Sequence, residues 1–97
     1  MKIKTNAKSV IDSLAALEES YEQNGASLEC AIEVTDGDWG GLAANVRVSP
    51  FAAIHLARQL LQIVDKNFDG AHFQIDKASI APESKDQLIF SLRTGGS

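Results

Sequence analysis

The apolar positions of this chain repeat with two different periods. From Ser49 to Asn67 (SPFAAIHLARQLLQIVDKN) they return every three to four residues. At about 100° per residue, Ala53, Ile54, Ala57, Leu60, Leu61, Val64 and Phe68 share one side, which Leu56 and Ile63 widen. His55, Arg58, Gln59, Gln62, Asp65 and Lys66 share the other. This pattern predicts an amphipathic helix. Ser49 offers a capping hydroxyl, Pro50 takes the first helical position where no N–H is required, and Gly70 is expected to end the helix. An earlier stretch has the same period: Val10, Ile11, Leu14, Leu17 and Tyr21 form a second apolar face, with Thr5, Asn6 and Ser9 as competing N-caps and Asn24-Gly25 at its end.

Elsewhere the period is two. Leu28, Cys30, Ile32 and Val34 alternate with Glu29, Ala31, Glu33 and Thr35, and Leu42, Ala44, Val46 and Val48 alternate with Ala43, Asn45 and Arg47. The turn-forming run Asp36 to Gly41 joins them as a hairpin that leads into the long helix. Ala71, Phe73 and Ile75 alternate with His72, Gln74 and Asp76. A loop carrying Pro82 leads to a last strand, Gln87 to Arg93, with Leu88, Phe90 and Leu92 on one side. Met1 to Thr5 reads as a short edge strand and Thr94 to Ser97 as a flexible tail.

The order (β)αββαββ predicts the α+β class and a single domain over residues 1–97. The expected architecture is a two-layer sandwich, a four-stranded antiparallel sheet with two helices on one face. If Met1–Thr5 pairs, the first six elements become ferredoxin-like with an added strand. The other sheet face would then be polar, and Arg47, His72, Gln74 and Arg93 are its candidate binding residues. A plain solvated face is the competing reading, since antiparallel sheets commonly keep one face wet.

Charge changes this picture more than composition does. The 97 residues carry a net charge of −4, which argues against nucleic acid as the partner. From Ser9 to Val46 every charged residue is acidic (Asp12, Glu18, Glu19, Glu22, Glu29, Glu33, Asp36 and Asp38), whereas the basic Arg47, Arg58, Lys66, Lys77, Lys85 and Arg93 are interspersed with acids farther on. An acidic half can steer a basic partner, or serve solubility alone. Glu18, Glu19 and Glu22 lie toward the C-terminal end of the first helix, where the helix dipole disfavours them. No apolar run approaches a membrane span. The first residues lack the apolar core of a secretion signal, and the single cysteine, Cys30, excludes an internal disulfide framework. A reduced cytoplasmic setting is expected.

The sharpest chemical motif is Asp65-Lys66-Asn67-Phe68-Asp69-Gly70, which matches the opening of an EF-hand calcium loop, with Asp76 at the twelfth position. Asp65, Asn67, Asp69 and Asp76 are thus candidate oxygen ligands. Against this stand His72 at a place usually aliphatic, the short Asp76, and the strand pattern through Ile75. Cys30, His55 and His72 lack zinc-site spacing, and Cys30 lies on the apolar side of its strand, as a small buried hydrophobe would. His72 meeting Glu29 or Glu33 across strands would permit general acid–base work. Phosphate-cradling loops and nucleophile motifs are absent from the sequence. Trp39, the only tryptophan, sits at the hairpin tip, either folded back over the sheet edge or exposed as a binding anchor.

From the long helix onward the pattern resembles small immunity proteins of bacterial polymorphic toxin systems. The residues that carry the resemblance are Leu56-Ala57 and Leu60-Leu61, then Gly70-Ala71-His72-Phe73-Gln74-Ile75-Asp76, then Ser84 and Leu88-Ile89-Phe90, within residues 50–92. The resemblance implies no enzyme activity and no cofactor. It implies a stoichiometric protein partner, a toxin domain whose active surface is blocked.

Together these expectations describe a non-enzymatic protein-binding domain with an acidic contact surface made of Glu18, Glu22, Glu33, Asp36, Asp38 and Trp39, and with a basic toxin domain as candidate partner. The alternatives are a calcium- or small-ligand-binding domain over residues 65–76 and a small acid–base enzyme on the open sheet face. A homodimer through exposed sheet edges is a further expectation.

Overall fold

The computed structural model describes residues 7–77 and 79–94. The expected edge strand Met1–Thr5, with the caps Thr5 and Asn6, lies outside them, as do residues 95–97 of the expected tail. The element order is α1 (Ala7–Gln23), β1 (Cys30–Asp36), β2 (Leu42–Val48), α2 (Pro50–Lys66), β3 (His72–Ile75) and β4 (Leu88–Ser91). Ser9 lies within α1 rather than capping it.

The class is α+β with two helices, but the single four-stranded sheet is not formed, and a ferredoxin-like sheet is not formed either. β1 pairs antiparallel with β2, β3 pairs antiparallel with β4, and these are two separate two-stranded sheets. The reason lies in the segment between β3 and β4, which occupies the place along β1 that another strand would need. Its Ser84 is buried, and the Ser84 hydroxyl accepts the Ile32 N–H at 2.8 Å, a bond that a neighbouring strand's carbonyl would otherwise make. Ala81, in the same segment, is fully buried and joins the core with Cys30, Ile32, Ala52 and Ile75. One small core thus lies between two narrow sheets, with Val46, Leu56, Phe73, Ile80 and Leu88 packed around it.

Helix α2 starts as its sequence predicts. The Ser49 hydroxyl accepts the Ala52 N–H at 3.1 Å, and Pro50 follows. The same hydroxyl accepts the Glu29 N–H and donates to the Ser27 carbonyl, so the cap also fixes the start of β1. The helix ends earlier than Gly70. Asn67 closes it in the left-handed region at φ 52°, and Gly70, at φ 87°, turns the chain into β3.

The sides of α2 are used differently from the expectation. Phe51, Ala52 and Ile63 are its buried residues, whereas Ala53, Leu60, Val64 and Phe68 of the expected apolar face remain exposed. Helix α1 packs along the side that carries His55 and Arg58. Tyr21 stacks on Phe51 with ring centroids 6.1 Å apart, and Glu18 is drawn inward to His55 and Arg58. The seam of α1 accordingly runs through Ala7 and Glu18, while Val10 and Leu17 face solvent.

Candidate functional site

The β1–β2 hairpin builds the most exposed feature of the molecule. Its register pairs Cys30 with Val48, Ile32 with Val46, Val34 with Ala44 and Asp36 with Leu42, so the even-numbered side chains share one apolar face. At the base that face is core, with Cys30 and Ile32 buried. Toward the tip it runs beyond the body: Val34 is exposed and Leu42 is 77% exposed. The turn is closed by the Gly37 N–H donating to the Gly41 carbonyl at 2.6 Å, and Gly40 supplies the positive φ of 86° that the turn needs. Trp39, held in this turn, is 99% exposed. Of the two readings of Trp39, the exposed one is the one found. Asp36 and Asp38 are its near neighbours in the chain, Glu33 stands farther down β1 opposite Asn45, and all three are exposed. An aromatic with its whole surface in water, on an arm that also carries exposed carboxylates, suits burial against a basic protein surface.

The other expected acidic contacts divide. Glu22 is exposed on α1, but Glu18 is not available to a partner. Its carboxylate takes the Arg58 Nε–H in a short ion pair and lies 2.7 Å from the His55 Nδ1. Burial pushes the Glu18 carboxyl up, but the hydrogen bonds and charges of Arg58 and His55 outweigh it and hold it below the usual carboxylate range. Glu18 is therefore part of the α1–α2 seam. The sequence signal that could have placed it there is its spacing: Ala7, Ile11, Leu14, Glu18 and Tyr21 follow one helix face.

The residues expected on one open sheet face are not brought together by one sheet. Arg47 stands on β2 opposite Ala31, whereas His72 and Gln74 stand on β3 opposite Ser91 and Ile89, and Arg93 lies beyond β4. Neither Glu29 nor Glu33 reaches His72, whose ring nitrogen Nδ1 lies 3.1 Å from the Gly70 carbonyl. The Gln74 amide donates to Asp76 at 2.8 Å.

The calcium-loop motif is taken apart in the same way. Residues 72–75 are extended as β3, which separates Asp76 from Asp65 to Asp69 by the length of a strand. Asn67 is the helix cap, and the Asp69 carboxylate accepts the Thr94 N–H at 3.0 Å. Among the described residues no group of His, Cys, Asp and Glu side chains is arranged to hold a metal ion.

A groove of about 500 Å³ opens at the base of the hairpin, between Glu29–Ala31, Arg47 and the segment carrying Ile80, Pro82 and Glu83. Cys30 lines it, and burial pushes its thiol up, away from the thiolate that nucleophilic chemistry needs. Among the described residues no helix is long and apolar enough to cross a membrane. No protein-family model matches the chain, no curated protein matches it, and no solved structure matches it.

Proposed function

We propose that this chain is a non-enzymatic protein-binding domain whose contact surface is the tip of the β1–β2 arm. The observation that carries the reading is Trp39, 99% exposed at a turn shaped by glycines and flanked by Leu42, Asp36 and Asp38. Burying so large an aromatic against a partner returns more free energy than any other single contact this surface offers, and the carboxylates favour a basic partner and speed its approach. The narrower reading is a toxin-neutralising immunity protein acting on a basic toxin domain. It rests on the resemblance across residues 50–92. A reduced cytoplasmic setting fits the buried free thiol of Cys30.

The test is growth rescue. The reading frame adjoining that of this chain is expressed alone and together with it. Arrest by the first, relief by the second, and loss of relief with Trp39→Ala is the expected result. An unaltered relief by the Trp39→Ala chain removes the arm from the reading, and a neighbour without toxicity removes the immunity role. The association rate of the purified pair should fall with rising salt, and a salt-independent rate removes the part assigned to Glu33, Asp36 and Asp38.

A further inference from the structure

The backbone of the hairpin has a direction that can be read residue by residue. The Ser49 N–H donates to the Glu29 carbonyl at 2.9 Å, and the Gly37 N–H donates to the Gly41 carbonyl. At both ends of the hairpin, therefore, the odd-numbered residues bond across it, and antiparallel alternation carries that through the strands. The even-numbered residues point their N–H and C=O groups outward. Ile32 confirms this on the β1 side, where its N–H meets Ser84 instead of β2. On the β2 side the outward set is Leu42, Ala44, Val46 and Val48. Among the described residues no hydrogen bond from another element reaches that edge.

The two edges of this sheet are not equivalent. The β1 edge is partly covered by the Ala81–Ser84 segment and carries Glu33 and Asp36. The β2 edge, LAANVRV, has Arg47 as its only charge, lacks proline, and is exposed at every position but Val46. A seven-residue, mostly apolar edge without such protection is a template for another strand.

The molecule is also more extended than a compact chain of its length. A compact chain of 10.4 kDa exposes about 5,400 Å². This one exposes 7208 Å², and its radius of gyration is 15.3 Å, against about 12.5 Å for its length. The excess, about 1,800 Å², is spread over the surface, with Leu60, Val64 and Phe68 on α2 contributing beside Leu42 and Val48 of β2.

We infer that two copies of this chain join through β2, edge to edge about a two-fold axis at Asn45, to make a four-stranded antiparallel sheet in the order β1-β2-β2-β1. This register pairs Leu42 with the second copy's Val48 and Ala44 with the second copy's Val46, so every outward-pointing backbone group of β2 finds a partner. The apolar faces become continuous across the axis. On the opposite face Arg47 meets Ala43, and Asn45 meets Asn45, so no like charges oppose each other. The pairing is isologous and closes on itself, which limits assembly to two. In this register the turn carrying Trp39 lies beyond Leu42, alongside the Ser49–Pro50 corner of the second copy, and the pairing does not depend on what that turn binds.

Light scattering on the full chain, from micromolar to hundreds of micromolar, reads the mass. The expected value is twice the 10.4 kDa of one chain. A monomer throughout this range overturns the inference. Two substitutions test the edge. At the axis, Asn45 faces itself in a non-hydrogen-bonded pair, where side chains approach most closely. Asn45→Asp sets two carboxylates face to face and should weaken association about twofold to fivefold. Asn45→Cys should give a disulfide-linked dimer under mild oxidation, because β-carbons across such a pair lie within reach of a disulfide. The second variant gains a signal, so a folding failure of the first cannot mimic it. A dimer that ignores Asn45→Asp and does not cross-link at position 45 places the interface elsewhere and overturns the inference.

Discussion

Glu18 shows how one residue can reverse its apparent role. Its position near the C-terminal end of α1 reads as surface charge held for a partner, yet the chain spends it internally on Arg58 and His55. The charge of Arg58 is the reason: a half-buried guanidinium on α2 needs a carboxylate, and α1 brings one to it. Removing that carboxylate leaves Arg58 without its counterion. Glu18→Gln should therefore lower stability by about 1–3 kcal/mol, between the values for surface and fully buried pairs, as read by urea unfolding. Because folding lowers the Glu18 pKa from its ordinary value of 4.5, its contribution is complete above that value and is lost as pH falls through the folded value. The wild-type unfolding midpoint should thus fall more steeply below pH 4.5 than that of Glu18→Gln. Trp39, by contrast, touches nothing that folding requires. Trp39→Ala should change stability by less than about 0.5 kcal/mol while abolishing partner binding, and the two are separated by calorimetry beside a binding assay.

At the scale of elements, the helices and strands were legible because each has a clean period and a recognisable end. Ser49-Pro50 announces α2, the alternation through Leu42 to Val48 announces β2, and both form as read. The sheet they belong to was not legible. Hydrophobic alternation says that a strand has an apolar face, but it does not name the neighbour along its edge. Here a serine in a loop takes the position of a strand, and nothing in the residues 76–87 marks Ser84 as a substitute for a backbone carbonyl. Ser84→Ala should show what that substitution holds. It leaves the Ile32 N–H buried without an acceptor, at a cost of about 1–3 kcal/mol, and the amide exchange rate of Ile32 should rise with it. The candidate site was legible in the same partial way. That Trp39 stands at a hairpin tip could be read from the glycine-rich run around it, but whether it folds back over the sheet edge or stands in water could not, and its 99% exposure is what decides between the two. Arg47, His72, Gln74 and Arg93 were grouped by a sheet that does not exist, so their grouping fell with it.

At the scale of the whole molecule, the organising fact is that the chain buries little of what it could. The core holds small residues such as Ala52, Ala71 and Ala81, while Leu60, Val64 and Phe68 of α2 and Leu42 of the arm stay exposed. The extents of 42 × 40 × 23 Å describe a slab, a shape with a high ratio of surface to volume. A chain with this geometry gains stability from company. If folding and pairing through β2 are one event, each tenfold rise in chain concentration adds about 1.4 kcal/mol to the dimer. Spread over the unfolding entropy of two 97-residue chains, that is a melting temperature higher by about 3 °C per decade. A lone chain would melt at one temperature at every concentration. Differential scanning calorimetry across two decades should show the rise for the wild type and a parallel one, displaced to lower temperature, for Asn45→Asp at equal concentrations. The rise should remain in Trp39→Ala, because the backbone bonds along Leu42 to Val48, and not a side chain of the turn, hold the two strands together.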